Sequence, residues 1–278
     1  MGQFAGQVVA VTGAGRGLGA AYAKLLADEG ASVLVHDAGV DHDGSGGDPA
    51  VAQAVAEEIT HDGGRAVSLT GNLLDPDACD EVVETALSSF GRLDALVHNA
   101  GLVIWEDTAH PSDEAWSRTM AVNADAGFRL IRRALEPMRA NGYGRIVVTT
   151  SGRATDPDGA APGLVSYAAA KMAVLGLMVG FRANVREHDI HLNAISPVAA
   201  TRVLRRSAPG LTPESVAPAV AWLCSAHVRE SGLIVEAAGG RFSLARFTSG
   251  PEVDLDGLPS VEAFTQWRAT TTANPDPT

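Results

Sequence analysis

Tyr167-Ala168-Ala169-Ala170-Lys171 is the most chemically suggestive stretch of the chain. Residues four apart share one face of a helix, so a phenol and an ammonium can converge on one point. A free phenol has a pKa near ~10, too high for an efficient base at neutral pH, and a neighbouring cation favours the phenolate. Scarcity argues against chance. The chain has 3 Tyr and 21 basic residues, of which Lys24 and Lys171 are the only lysines. Arginine serves everywhere else, yet its flat fork replaces a compact ammonium poorly. Ser151 follows an apolar run ending at Thr150 and could hold and polarise a substrate oxygen against Tyr167. Thr150 is an adjacent alternative donor, and a turn or helix-cap serine is the competing reading. Asn123 lies in a long apolar helical stretch, where its propensity is poor. It reads either as a buried group with a task, such as holding a water near Lys171, or as a satisfied interior amide.

These side chains need a scaffold, and the pattern around them supplies one. Short apolar runs alternate with amphipathic stretches, which predicts repeated βα units: an α/β fold with a doubly wound parallel sheet and helices on both faces. Strands are expected at Val8–Thr12, Ser32–His36, Ala66–Leu69, Ala95–His98, Arg145–Thr150, His191–Ile195 and Leu233–Val235. Helices are expected at 18–30, 50–62, 77–90, 113–140, 165–187, 213–226 and 260–269. Asp75-Pro76 and Ser112 with Asp113 and Glu114 read as helix starts. Residues 38–49 and 152–164 are Gly-rich and aperiodic, hence loops.

The first strand runs into Thr12-Gly13-Ala14-Gly15-Arg16-Gly17-Leu18-Gly19, followed directly by a helical pattern. Glycines there let the backbone approach a pyrophosphate, and a helix N-terminus offers N–H groups and partial positive charge. A glycine motif alone is weak, but this one sits between strand and helix, as dinucleotide binding requires. Asp37 closes the second strand and can accept from the ribose hydroxyls of NAD while repelling a 2′-phosphate. Arg16 and His36 speak for NADP; the absence of a basic residue at Ala38 and Gly39 favours NAD.

The formal net charge of −12, without a basic run, disfavours nucleic acid as a partner. No stretch approaches 18 consecutive apolar residues, so no membrane span is expected. The start, Met1-Gly2-Gln3-Phe4, lacks a secretory pattern, and Cys79 and Cys224 suit neither a disulfide framework nor a metal site. The expectation is a reduced, cytoplasmic protein with no metal, and one domain spanning 1–278. Met172–Val179 continues the Tyr167 helix with apolar residues on more than one face, which predicts a second cover, in a homodimer or homotetramer.

Together, Thr12-Gly13-x-x-x-Gly17-x-Gly19, Asn99-Ala100-Gly101, Asn123, Ser151, Tyr167-x-x-x-Lys171 and Asn193-x-x-x-Pro197 resemble the ordered motifs of short-chain dehydrogenases/reductases over about residues 5 to 240. The resemblance implies a seven-stranded Rossmann sheet and hydride transfer between NAD(H) and a secondary alcohol or ketone. It gives Tyr167 the acid/base role, Lys171 the nicotinamide ribose, Ser151 the substrate oxygen and Asn123 a water. Gly13, Arg16, Gly17, Leu18, Gly19, Asp37, Asn72, Leu73, Asn99, Ala100, Gly101, Pro197 and Thr201 join Tyr167 and Lys171 around the cofactor.

Val216–Cys224, the excursion after Asp37, Gly239-Gly240 and a tail helix bearing Trp267 resemble the (3R)-hydroxyacyl-CoA dehydrogenase part of the type 2 peroxisomal multifunctional enzymes. That implies a 3-hydroxyacyl-CoA or 3-oxoacyl-CoA as the small-molecule substrate. A short loop at 200–212 would cover it, Arg202, Arg205 and Arg206 meeting CoA phosphates or forming a solvated basic patch. The C-terminal extension is 240–278. Three features depart from the pattern: His98 stands where Asn is usual, Val198 follows Pro197 where Gly is common, and Ser151 lies 16 residues before Tyr167, a few more than usual. The rival readings are a general carbonyl reductase or ketoreductase for a small ketone, steroid or polyketide, and a non-catalytic dinucleotide-binding sensor.

Overall fold

Every residue of the first two strands is buried, as a sheet covered on both faces demands. A computed structural model of the chain describes residues 2–41, 46–107, 109–156, 159, 161–185, 187–200, 209–249 and 260–271. Two compact units result, Met1–Ala245 and Arg246–Thr278.

The first unit comprises β1 (Val8–Thr12), α1 (Gly17–Asp28), β2 (Ser32–Asp37), α2 (Ala50–His61), β3 (Arg65–Thr70), α3 (Pro76–Phe90), β4 (Ala95–His98), α4 (Asp113–Met120), a π-helical turn (Ala121–Asp125), α5 (Ala126–Asn141), β5 (Tyr143–Thr149), α6 (Gly152–Thr155), α7 (Val165–Ala183), β6 (Asp189–Val198), a 3₁₀ turn (Pro213–Ser215), α8 (Ala217–Cys224), β7 (Ile234–Ala238) and β8 (Arg241–Ala245). The second unit contains α9 (Val261–Thr271).

The sheet order is β3-β2-β1-β4-β5-β6-β7-β8, a Rossmann-like arrangement with β1 to β7 parallel and β8 antiparallel. Strand alternation sorts the core into two layers. Val9, Val11, Val33, Val35 and Val97 join the α1, α2 and α8 side. Val8, Ala10, Leu34, Leu96 and Ile146 join α3, α5 and α7. The strand order reverses between β1 and β4, so the chain opens a crevice at their carboxyl ends, the usual ligand position in such sheets. Thr12 and His98 are paired across this point.

Two caps form as their residue types suggest. The Asp75 carboxylate accepts from Asp77 N–H at the start of α3, with Pro76 in the first turn, and the Ser112 hydroxyl accepts from Ala115 N–H at the start of α4. Three features depart from the expectation. The helix expected over 113–140 is interrupted by the π-turn, β5 leads into the four-residue α6, and an eighth strand returns from β7. The return is made by Gly239-Gly240, both with positive φ, 56° and 76°, the conformation that a two-residue hairpin needs. By length and composition alone α7 could cross a membrane. Here it packs on α4, β5 and β6 and turns Lys171 into the interior, 4% exposed.

Candidate active site

The phosphate-binding turn is a close-packed cradle. Gly13 has φ +64°, and a Cβ there would lie 2.8 Å from the Ala100 Cα; a Cβ on Gly19 would strike the Gly13 carbonyl and the Asn99 amide. The Asn99 side chain donates to the carbonyls of Thr12 (3.2 Å) and Gly13 (3.0 Å), and Ala100 N–H donates to Thr12 Oγ1 at 3.2 Å. Asn99 and Ala100 therefore fasten the turn across the crevice. Gly17 (φ 53°) opens α1, and no side chain caps that helix. The N–H groups through Leu18 and Gly19 thus point toward an anion site.

Asp37 does more than wait for a ribose. Its Oδ2 accepts from Gly15 N–H at 2.9 Å and its Oδ1 from Gly39 N–H at 2.8 Å, so the carboxylate braces the turn. Each oxygen keeps acceptor capacity. His36 beside it is buried, and burial holds its pKa down to about 4, so it is neutral and cannot pair a phosphate. Arg16 donates to the Val40 carbonyl at 3.3 Å, placing a cation at the same end of the crevice. Asn72 and Leu73 follow β3, where Asn72 Oδ1 accepts from Leu74 N–H and Leu73 is buried. Pro197 lies near the carboxyl end of β6, in register with Ala237. Thr201 and the three arginines at 202, 205 and 206 fall outside the described residues.

At the other end, α7 brings Tyr167 and Lys171 together. The ammonium lies 5.6 Å from the centroid of the phenol ring and donates to the Thr149 carbonyl at 3.0 Å. Burial pulls its pKa down to about 8, so it is charged at neutral pH. Thr150 donates its hydroxyl to the Lys171 carbonyl at 2.8 Å and is thereby committed to holding the helix. Ser151 is the group that acts on the phenol's ionisation, while its oxygen accepts from Arg153 N–H at 3.2 Å to cap α6. Both readings of Ser151 hold at once.

Burial raises the Tyr167 pKa above 10, opposed by the Ser151 hydrogen bond and then by the Arg153 charge. The direction is the opposite of the expected lowering, because burial outweighs the nearby charges.

Asn123 is fully buried within the π-turn. Its amide donates to the carbonyls of Leu102 and Thr119, both at 2.9 Å, while Oδ1 has no partner among the described residues. That oxygen faces Gly101, where a Cβ would come within 2.7 Å of it and 3.2 Å of Lys171 Nζ. Gly101, Asn123 Oδ1 and Lys171 Nζ therefore meet at one point with an acceptor to satisfy, which fits a water or a hydroxyl-bearing ligand.

Two contributors escaped the sequence reading, and Thr12, quoted there in the glycine motif, has a task that the motif did not show. Thr12 links the turn to β4. Arg153 supplies a cation near the phenol. Glu106 accepts from the Ser166 hydroxyl (2.6 Å) and Ser112 N–H (2.9 Å), pinning the loop before α4 to the start of α7. Gly163 (φ +79°) makes room for that clamp against the Glu106 carbonyl.

Residues 7–208 match the family model of the short chain dehydrogenases. The chain belongs to that family. It is 38% identical over 243 residues to the mouse peroxisomal multifunctional enzyme type 2, covering 86% of this chain but only 32% of that one. A crystal structure of a short chain dehydrogenase from Mycobacterium avium aligns with TM-score 0.85 and 35% identity, over 99% of this chain and 98% of that one. A metagenomic short-chain oxidoreductase in complex with NADP aligns with TM-score 0.69 and 29% identity, over 84% of this chain and 98% of the other. This short-chain dehydrogenase is an oxidoreductase that acts on CH–OH groups of small molecules with a nicotinamide dinucleotide. The cradle at Gly13 and Gly19 fits the pyrophosphate of such a cofactor, and the unsatisfied Asn123 Oδ1 fits a polar group beside Lys171.

Proposed function

We propose that the enzyme uses NAD(H) and interconverts a 3-hydroxyacyl-CoA with its 3-oxoacyl-CoA. The observation that carries the cofactor choice is Asp37, a carboxylate 8% exposed and fixed by two backbone N–H groups at the ribose end. A bound nicotinamide dinucleotide supplies or accepts the hydride. Ser151 holds the substrate oxygen, and Tyr167 gives it a proton during reduction and takes one during oxidation. Lys171 keeps positive charge beneath the phenol, with a water seated against Asn123 Oδ1 as the next proton carrier. Gly13, Gly17, Leu18 and Gly19 would hold the pyrophosphate, with Arg16 and Asn72 at its adenosine side.

Replacing Asp37 by Asn removes its charge and keeps most of its shape. The NADH-over-NADPH preference in kcat/KM should fall by about tenfold or more, the equivalent of about 1.4 kcal/mol. A wild type that already prefers NADPH at equal low concentrations would make Arg16 the phosphate ligand and overturn the choice of NAD.

The thioester is supported by the similarity to the multifunctional enzymes and by the cation Arg153 that acts on Tyr167. Arginine binds phosphate by charge-assisted hydrogen bonds, and remote binding of this kind orients the reacting carbon. Mutating Arg202, Arg205 and Arg206 together to Ala should raise KM for acetoacetyl-CoA and leave a truncated acetoacetyl thioester unaffected. Equal wild-type activity on CoA-bearing and CoA-free ketones, with no salt dependence, would favour the general ketoreductase instead.

A homodimer or homotetramer is part of the same proposal. Met120, Ala124, Phe128, Ala173 and Leu177 line a groove of about 490 Å³ together with the charged Asp125, Arg129 and Arg132, and Phe128, Met172 and Val179 are exposed on the same helices. Exposed apolar side chains mixed with arginine and a carboxylate suit a self-association surface. Light scattering at micromolar concentration should give at least twice the chain mass, and Phe128→Asp should reduce it. A monomeric wild type would contradict the assembly.

A further inference from the structure

His98 lies 2% exposed at the end of β4, between the two halves of the site. Its Nδ1 is 3.1 Å from Thr12 Oγ1, and its Nε2 is 3.2 Å from the Asn123 backbone carbonyl. Burial and the nearby Lys171 charge hold its pKa down to about 3, so the ring is neutral and carries one N–H. The partners decide which nitrogen bears it. A carbonyl can only accept, so Nε2 donates to Asn123. Nδ1 is then an acceptor, and Thr12 donates its hydroxyl to it while receiving Ala100 N–H. A directed chain results: Ala100 N–H to Thr12, Thr12 to His98, His98 to Asn123.

We propose that His98 is a positioning residue that ties the glycine turn to the π-turn, holding Asn123 Oδ1 toward Lys171 and Gly101. A π-turn disturbs the regular ladder of carbonyl acceptors. At this one the Asn123 carbonyl is taken by a side chain from the neighbouring strand. The ring packs closely there: a Cβ on Gly127 would lie 3.1 Å from His98 Cδ2. The carboxamide thus serves as the polar lining of the space beside Lys171, and its backbone serves as the anchor. This role rests on the dehydrogenase reading for its effect on turnover, whereas the hydrogen-bond chain can be observed without turnover.

The direct test is ¹⁵N NMR of the wild-type protein labelled at histidine. The expected His98 signals are those of an Nε2–H tautomer that does not titrate between pH 5 and 9; a protonated Nδ1 would overturn the proposal. The functional test compares His98→Leu with His98→Gln. His98→Leu removes the imidazole donor from the Asn123 carbonyl, and kcat should fall by at least about tenfold while the dissociation constant for NADH changes less than about threefold. Gln can reach the same carbonyl with its amide and should recover most of kcat. If kcat, cofactor affinity and thermal stability fall in proportion in His98→Leu and Gln rescues none of them, His98 merely packs. Unchanged kcat in His98→Leu would equally refute the positioning role.

Discussion

Tyr167→Phe should reduce kcat by about 10²–10⁴-fold, the range of general acid–base contributions, while the enzyme still binds NADH. The ring packs on α7 with Lys171 below it, and Phe keeps that ring. Only the hydroxyl is lost. The phosphate cradle belongs to β1, α1 and β4 and does not touch the change. Melting temperature and NADH fluorescence titrations should therefore stay near wild type. Burial favours the protonated phenol, the state that donates to a carbonyl. Turnover at the wild-type rate with an unaltered pH dependence would remove Tyr167 from the mechanism.

Lys171→Met should also lower kcat by at least about 10²-fold, because the phenol loses the cation that favours its ionised form as the proton leaves. This substitution leaves a second signature in stability. The folded chain releases the Lys171 proton near pH 8, whereas the unfolded chain keeps it to about 10.4. Burial of the ammonium therefore opposes folding fully below about pH 8, and that penalty fades as pH rises toward 10.4. Stability of the wild type relative to Lys171→Met should increase with pH, by on the order of 2 kcal/mol between pH 7.5 and 9.5. Parallel denaturation curves at the two pH values measure it, and a constant difference would show that the ammonium is not desolvated.

Much of this was legible because the chemistry and the fold use the same short-range signals. The β1 turn, the Asp75 and Ser112 caps and the spacing of Tyr167 and Lys171 are local facts, and each element formed where its residues indicate. What escaped depends on contacts distant in sequence. The π-turn interrupts a helix whose apolar pattern runs on, and the Asn123 amide there reaches across to Leu102. Asp37 looked like a ribose ligand only; its second task is visible when Gly15 is 22 positions away in sequence and one hydrogen bond away in space. Arg153 is one of many arginines until α6 turns it toward the phenol. The eighth strand is announced by Gly239-Gly240, a two-glycine hairpin signal with an antiparallel partner that only the fold shows. His98 stood out as a departure from the family pattern, but composition could not reveal that both ring nitrogens are engaged.

The most direct test of hydride transfer follows the hydride itself. NADH carrying deuterium at both C4 positions is incubated with acetoacetyl-CoA and, in parallel, with longer 3-oxoacyl-CoAs and simple ketones, and the products are examined by mass spectrometry and NMR. The account predicts NADH oxidation with acetoacetyl-CoA, deuterium on the new carbinol carbon, and neither with Tyr167→Phe. Failure of the wild type to oxidise NADH or NADPH with any of these carbonyl compounds, or a reduced product without the label, would contradict it.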